Sequence, residues 1–267
     1  MRTATLLSST RTLRWSALAA LQDFRVVYTI PTWTLGWLLR CICQVAVFAL
    51  LGRYVGAADL EAFLLVGTAV LVGLASVSIV VQAAAWERRT GTLPLLVASP
   101  GSPFVVFVGR GTVWLLDGLL VSTLVLLIVP SLVGQAIDPL RVLCAVPLLG
   151  LTYLGAFFFA QTAAALTLDA PGARNLVSNL SAALVALLCG IQVPLEAWPS
   201  WVGAIAMVLP VTHGVVVVRS VVVDGSLDVG ALLAQVAVTV AWAVVAAVTF
   251  GQFLRRARRS GRIEFGE

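Results

Sequence analysis

The chain has 267 residues, 60% of them hydrophobic and 11% charged, with a formal net charge of +5. So few polar groups cannot cover the surface of a water-soluble globule, and the composition points to an all-α integral membrane protein. Every basic residue is an arginine, which excludes a P-loop, a pyridoxal Schiff base and a lysine nucleophile.

Residues 1–30 carry Arg2, Arg11, Arg14 and Arg25 with no sustained apolar core, which does not fit a cleavable signal. Within them Leu13, Ala17, Leu21 and Phe24 recur at helical spacing, and Pro31 closes the segment. This pattern predicts an amphipathic helix over 11–30, lying along the inner leaflet. Six spans of about 20 or more apolar residues follow within a transmembrane region of residues 31–254. They are expected near Trp33 to Leu51, Leu60 to Ala84, Phe104 to Val133, Leu140 to Leu168, Leu176 to Val193 and Val229 to Phe253.

Between spans two and three, residues 86–103 are heavily punctuated. Trp86-Glu87-Arg88-Arg89 closes the span, Gly91 suits a helix C-terminus and Thr92 suits an N-cap. Pro94 is tolerated in a first turn, and Ser99-Pro100 ends a helix of about two turns from Leu93 to Ala98. Leu93, Leu96 and Val97 are expected to face outward from a loop with little core of its own. Such a helix wants a groove in a partner.

Between spans five and six, residues 194–226 are apolar but broken by Pro194, Pro199, Pro210 and Gly214. They predict two short re-entrant or interfacial helices, with Trp198 and Trp201 at the membrane boundary. Most arginines fall on the side of the N-terminus, whereas Asp59, Glu61, Asp138, Glu196, Asp224 and Asp228 fall on the other. The positive-inside rule then makes both termini cytoplasmic and residues 194–226 external. The tail, 255–267, opens on Arg255-Arg256-Ala257-Arg258-Arg259, a basic patch suited to lipid headgroups. Nothing in it indicates nucleic acid.

Polar groups inside spans are costly and mark candidates for function. Arg40 and Asp117 are expected to pair and fix the first span against the third. Asn175, Ser178 and Asn179 share one face of the fifth span. That face either bonds a neighbouring helix or protomer, or lines a pathway. His213 is a lone titratable group without an evident partner. No catalytic constellation is visible: Gly-x-Ser-x-Gly is absent and Asp117 is the one clear intramembrane carboxylate. A single histidine excludes a histidine-rich metal site. Cys41, Cys43, Cys144 and Cys189 all lie in apolar runs and read as small buried hydrophobes, and no motif supports a Cys144–Cys189 bridge.

The stretch Glu87-Arg88-Arg89-Thr90-Gly91-Thr92-Leu93, then Leu95-Leu96 and Ser99-Pro100, resembles the E-R-x-x-G-T-L-x-x-L-x-x-S/T-P signature of type-2 ABC exporter permeases. A second stretch, Leu209-Pro210 through His213 to Arg219 and Gly225, resembles the external motif of the same family. Pro94 departs from the family pattern at the start of the short helix. The resemblance implies one transmembrane half of a drug, polyketide or lipid exporter in a bacterial cytoplasmic membrane. A second permease half, identical or related, would pair with it. Two cytoplasmic ABC ATPase subunits would carry ATP and Mg, with no cofactor on this chain. Residues 92–99 would be the coupling helix, and Glu87, Arg88 and Arg89 would contact the ATPase or brace the loop. The apolar walls favour a hydrophobic or amphipathic cargo. A polytopic membrane enzyme and a secondary transporter are the alternatives. The first lacks clustered carboxylates, and the second lacks a paired broken helix in the first half.

Overall fold

The computed structural model describes residues 2–56, 58–89, 91–98, 102–169 and 171–260. Among them there are helices and connections but no strand. In lipid every backbone polar group must be satisfied within the segment, and long apolar runs meet that demand as helices. The elements are α1 (Arg2–Val27), α2 (Thr32–Tyr54), α3 (Ala58–Arg89), α4 (Leu93–Ala98), α5 (Pro103–Val133) and α6 (Pro139–Asp169). They continue as α7 (Arg174–Leu188), α8 (Ser200–Val208), α9 (Thr212–Arg219) and α10 (Val229–Ser260). Starts are marked chemically: Pro103 opens α5, and the Asp138 and Asp228 carboxylates accept Leu140 N–H and Ala231 N–H at 2.9 Å.

Among the described residues five helices, α2, α3, α5, α6 and α10, are long and apolar enough to cross a membrane. The central one is α3, with 78% of its apolar window buried, against 22% for α2 and 17% for α10. It therefore forms the pole of the bundle, while α2 and α10 turn much of their surface outward. Leu65, Val66 and Val70 of α3 pack with Val121 and Val125 of α5 and with Tyr153 of α6. At the α3–α5 crossing the backbones touch, because a Cβ on Gly118 would stand 2.5 Å from the Gly73 carbonyl oxygen. Side chains tie the helices as well: Ser122 Oγ donates to Ala69 O at 2.8 Å, and Tyr153 OH to Val70 O at 3.1 Å.

The bundle has two chemically distinct ends. At the loop end, Leu93 of α4 joins Phe107 of α5, Leu168 of α6 and Phe250 and Phe253 of α10 in a second core. There α1 lies along the start of α5, with Phe24 edge-on to Trp114 at 5.3 Å. It begins at Arg2, earlier than the predicted 11. At the opposite end Arg53 grips Glu61 at 2.8 Å, joining the α2–α3 hairpin, and also reaches the Val133 carbonyl. Arg141 donates to Val223 O at 2.8 Å.

The predicted fifth span is corrected. It is α7, only 15 residues, or about 22 Å at 1.5 Å per residue, against a hydrocarbon core of about 30 Å. The helix stops because Gly190 takes a left-handed φ of +68° and the chain turns aside. Residues 189–228 fill what α7 leaves. There α8 and the helix formed by α9 and its wider π-helical continuation, Ser220–Asp224, meet at 87°. Two short helices were expected here, and two are found. The four cysteines are free, Cys144 exposed on α6 and Cys189 buried just beyond α7.

Candidate functional site

The loop-end site begins where α3 ends. Gly91 adopts φ +72°, a conformation costly for a side-chain-bearing residue, and this turns the chain from α3 into α4. Thr92 N–H then donates to Glu87 O at 3.1 Å, and Thr92 O accepts Leu96 N–H at 3.1 Å. Thr92 thus occupies the N-cap position, and its hydroxyl reaches toward the end of α3. It turns back to the Glu87 carbonyl at 3.0 Å and to the Glu87 carboxylate. That carboxylate is 3% exposed and pairs with Arg110 of α5. Arg110 also lies 3.6 Å from Asp23 of α1. One buried glutamate therefore links α3, the start of α4 and α5, and α1 joins through Arg110.

The faces of α4 differ from the expectation. Leu93 is 2% exposed and sits in the second core, and Leu96 is half-buried against the same cluster. Residues three apart share a helix face, so the two point together toward α5, α6 and α10. Leu95, on the other side, is 66% exposed. The outward residue is Leu95, not Leu93 or Leu96, because the chain supplies its own groove from α5, α6 and α10. The side chains of Arg88, Arg89 and Val97, and the whole of Ser99 and Pro100, lie outside the described residues.

The predicted Arg40–Asp117 pair is not formed. Asp117 is 6% exposed and accepts Trp33 Nε1–H at 2.7 Å and Ser76 Oγ–H at 2.6 Å. Two neutral donors from α2 and α3 satisfy it where a cation was expected. Arg40 instead lies over the Trp37 ring, its guanidinium carbon 5.3 Å from the centroid. Its side chain makes no hydrogen bond or ion pair among the described residues. It borders a cavity of about 340 Å³ between α2, α3, α6 and α7, together with Gln44, Ser78, Phe159, Ser178 and Ser181. The predicted polar face of α7 is split: Ser178 lines this cavity, while Asn175 and Asn179 are exposed and bond no neighbouring helix among the described residues.

At the opposite end Arg219 is a fastener. Its Nη1 donates to Gly190 O at 2.6 Å, and its Nη2 to Ile191 O at 2.7 Å and Phe63 O at 3.1 Å. The guanidinium also lies 3.6 Å over the Phe63 ring. A Cβ on Gly67 would come within 1.8 Å of the Ile191 carbonyl oxygen, so only glycine admits this contact. Pro210 O accepts Gln235 Nε2–H at 2.8 Å, which ties the re-entrant pair to α10. His213 does have a partner: its Nε2 lies 3.1 Å from Met207 O. Sequence reasoning missed Trp33, Ser76, Phe63 and Arg110 as partners. Of these, only Arg110, a charge at the edge of a span, left a readable signal.

A family model described as "ABC-2 type transporter" matches residues 77–223, more than half of the chain. The matched region runs from the middle of α3 through the loop-end site to the last turns after α9. No curated protein and no solved structure matches the chain.

Proposed function

The chain belongs to the ABC-2 type transporter family, and from its place there as a membrane permease of an ABC transporter we propose that it is the transmembrane half of an ATP-driven exporter. Two cytoplasmic ATPase subunits, carrying ATP and Mg, dock beneath a pair of permease halves. Each ATPase seats α4 in its cleft. The cargo is a hydrophobic or amphipathic molecule, moved outward across a bacterial cytoplasmic membrane. The loop end and both termini face the cytoplasm, a reading supported by Arg11, Arg14, Arg25, Arg255, Arg256 and Arg258 at that end.

The observation that carries this reading is the two-sidedness of α4. One side is rooted, through Leu93 in the core and through Glu87 to Arg110. The other presents Leu95 to the outside. A force applied to the outer side therefore reaches α3, α5, α6 and α10 together, which is what coupling of ATP-driven closure to the spans requires.

Leu95→Asp tests it. The substitution alters only the outward side, so the protein should still insert and fold. Co-purification with its co-expressed ABC ATPase should fall by about tenfold or more, the scale of losing an apolar anchor and leaving a buried charge unpaired. Unchanged association would overturn the docking role of α4. Leu96→Asp is the poorer probe, because Leu96 packs on the chain's own core.

A further inference from the structure

We propose that Arg40 and the cavity it borders bind the anionic group of an amphipathic ligand, so that the cargo is an amphiphile carrying a carboxylate, sulfate or phosphate. This rests on the exporter reading and sharpens its substrate class.

Arg40 is eight residues into α2 and is exposed on the isolated chain, in a span where a bare cation is expensive. Asp117, the carboxylate nearest in kind, is taken by Trp33 and Ser76. The guanidinium has only the Trp37 ring beneath it, which satisfies the charge in part and none of its five N–H donors. Beside it the lining holds no acidic residue among the described residues. The hydroxyl of Ser78 is already committed to Leu74 O at 2.9 Å. The cavity thus offers one strong cationic fork, the weaker polar groups of Gln44, Ser178 and Ser181, and apolar walls such as Phe159. A planar or tetrahedral oxyanion is the chemistry such a fork recognises. A volume of about 340 Å³ accommodates a headgroup or a short apolar body rather than a whole large molecule.

The position is suited to loading. The cavity is lined by residues 37–44 of α2, 71–81 of α3, 156–160 of α6 and 178–186 of α7, so it lies near the middle of the bundle. Two of its four walls come from α2 and α7, elements with much outward-facing surface. An anion could therefore arrive from that side without crossing the closed core of α3 and α5.

The test is equilibrium binding of radiolabelled dodecanoate to the full-length chain in phosphatidylcholine nanodiscs, with dodecanol as the uncharged control. Dodecanoate should bind saturably, about tenfold or more weaker in Arg40→Gln, and stay within a few-fold of wild type in Arg40→Lys. Ser178→Glu places a carboxylate on the lining and should expel dodecanoate with Arg40 intact. Dodecanol should be indifferent to all three. Equal dodecanoate binding by wild type and Arg40→Gln would overturn the proposal, as would dodecanol losses matching those of dodecanoate. The first of these results is also what a carboxylate from a second copy, seated on Arg40, would give. Nanodiscs containing phosphatidylglycerol separate the sources of the anion: competition with dodecanoate assigns the site to a bilayer headgroup, and its absence to a dispersed amphiphile. The assay contains no ATPase. If Leu95→Asp left ATPase association intact, the docking role of α4 would fail and the dodecanoate result would stand by itself.

Discussion

At the scale of single residues, buried polar groups in this bundle are met by neutral donors and carbonyls as often as by opposite charges. Asp117 shows it best. A carboxylate that receives an indole N–H at 2.7 Å and a hydroxyl at 2.6 Å has its lone pairs engaged and does not need Arg40. Asp117→Asn would set an amide N–H against one of those donors, at a cost of about 1–3 kcal/mol. The structure also predicts that exchanging the charges, Arg40→Asp with Asp117→Arg, does not restore stability. The new arginine would meet the Trp33 indole, which can only donate, and a single serine hydroxyl in a pocket only 6% exposed. Thermal unfolding of the detergent-solubilised protein distinguishes the cases: recovery of the wild-type midpoint by the double variant would show that the two residues do act as a pair. The charges themselves were plain in the sequence, but their partners were not. A tryptophan and a serine far apart along the chain carry no sign that they converge on one carboxylate.

At the scale of elements, what could be read depended on whether the signal was local. The bounds of α4 follow from Gly91-Thr92, Ser99-Pro100 and the apolar run between the two pairs, and the structure places the helix at Leu93–Ala98. Which side of α4 is free depends on Phe250 and Phe253, and no local pattern reports them. The same division explains α7. Its apolar run reads as a full span, yet the helix stops before the left-handed Gly190, and Arg219 holds the Gly190 and Ile191 carbonyls at the level of Phe63. That fastener gives a prediction for the re-entrant unit. Arg219→Lys keeps the charge but loses the planar fork over two adjacent carbonyls, at a cost of about 1–3 kcal/mol. Arg219→Met removes all three bonds and should cost more. Hydrogen exchange of the backbone around 189–193 should speed up in both, in that order, while the α3–α5 core stays protected. Uniform loss of protection across the bundle would mean that Arg219 supports the whole fold rather than this unit.

At the scale of the whole molecule, the span pattern was legible because the bilayer demands about 20 apolar residues per crossing, a requirement each segment meets independently. The pairing of ends was legible only in sum, through the sorting of charge. In the structure that sorting coincides with packing. Leu93, Phe107, Leu168 and Phe253 gather α4, the start of α5 and the ends of α6 and α10 at one end. Arg53, Glu61, Arg141 and Val223 gather the turns at the other. The helix order therefore alternates end to end, with α7 and the re-entrant pair together supplying the crossing that α7 alone falls short of. If the arginine-rich end is the cytoplasmic one, a cysteine at Ser226, in the exposed turn before α10, and one at Gln22, on the exposed face of α1, must report opposite sides. In a chain whose four native cysteines are replaced by alanine, a membrane-impermeant maleimide should label Ser226→Cys in intact cells. It should label Gln22→Cys only after permeabilisation. The reverse pattern would invert the molecule, put α4 out of reach of any cytoplasmic ATPase, and remove the basis for coupling. Labelling of both positions in intact cells would mean that α7 and the re-entrant pair do not complete a crossing, so that the chain spans the membrane five times.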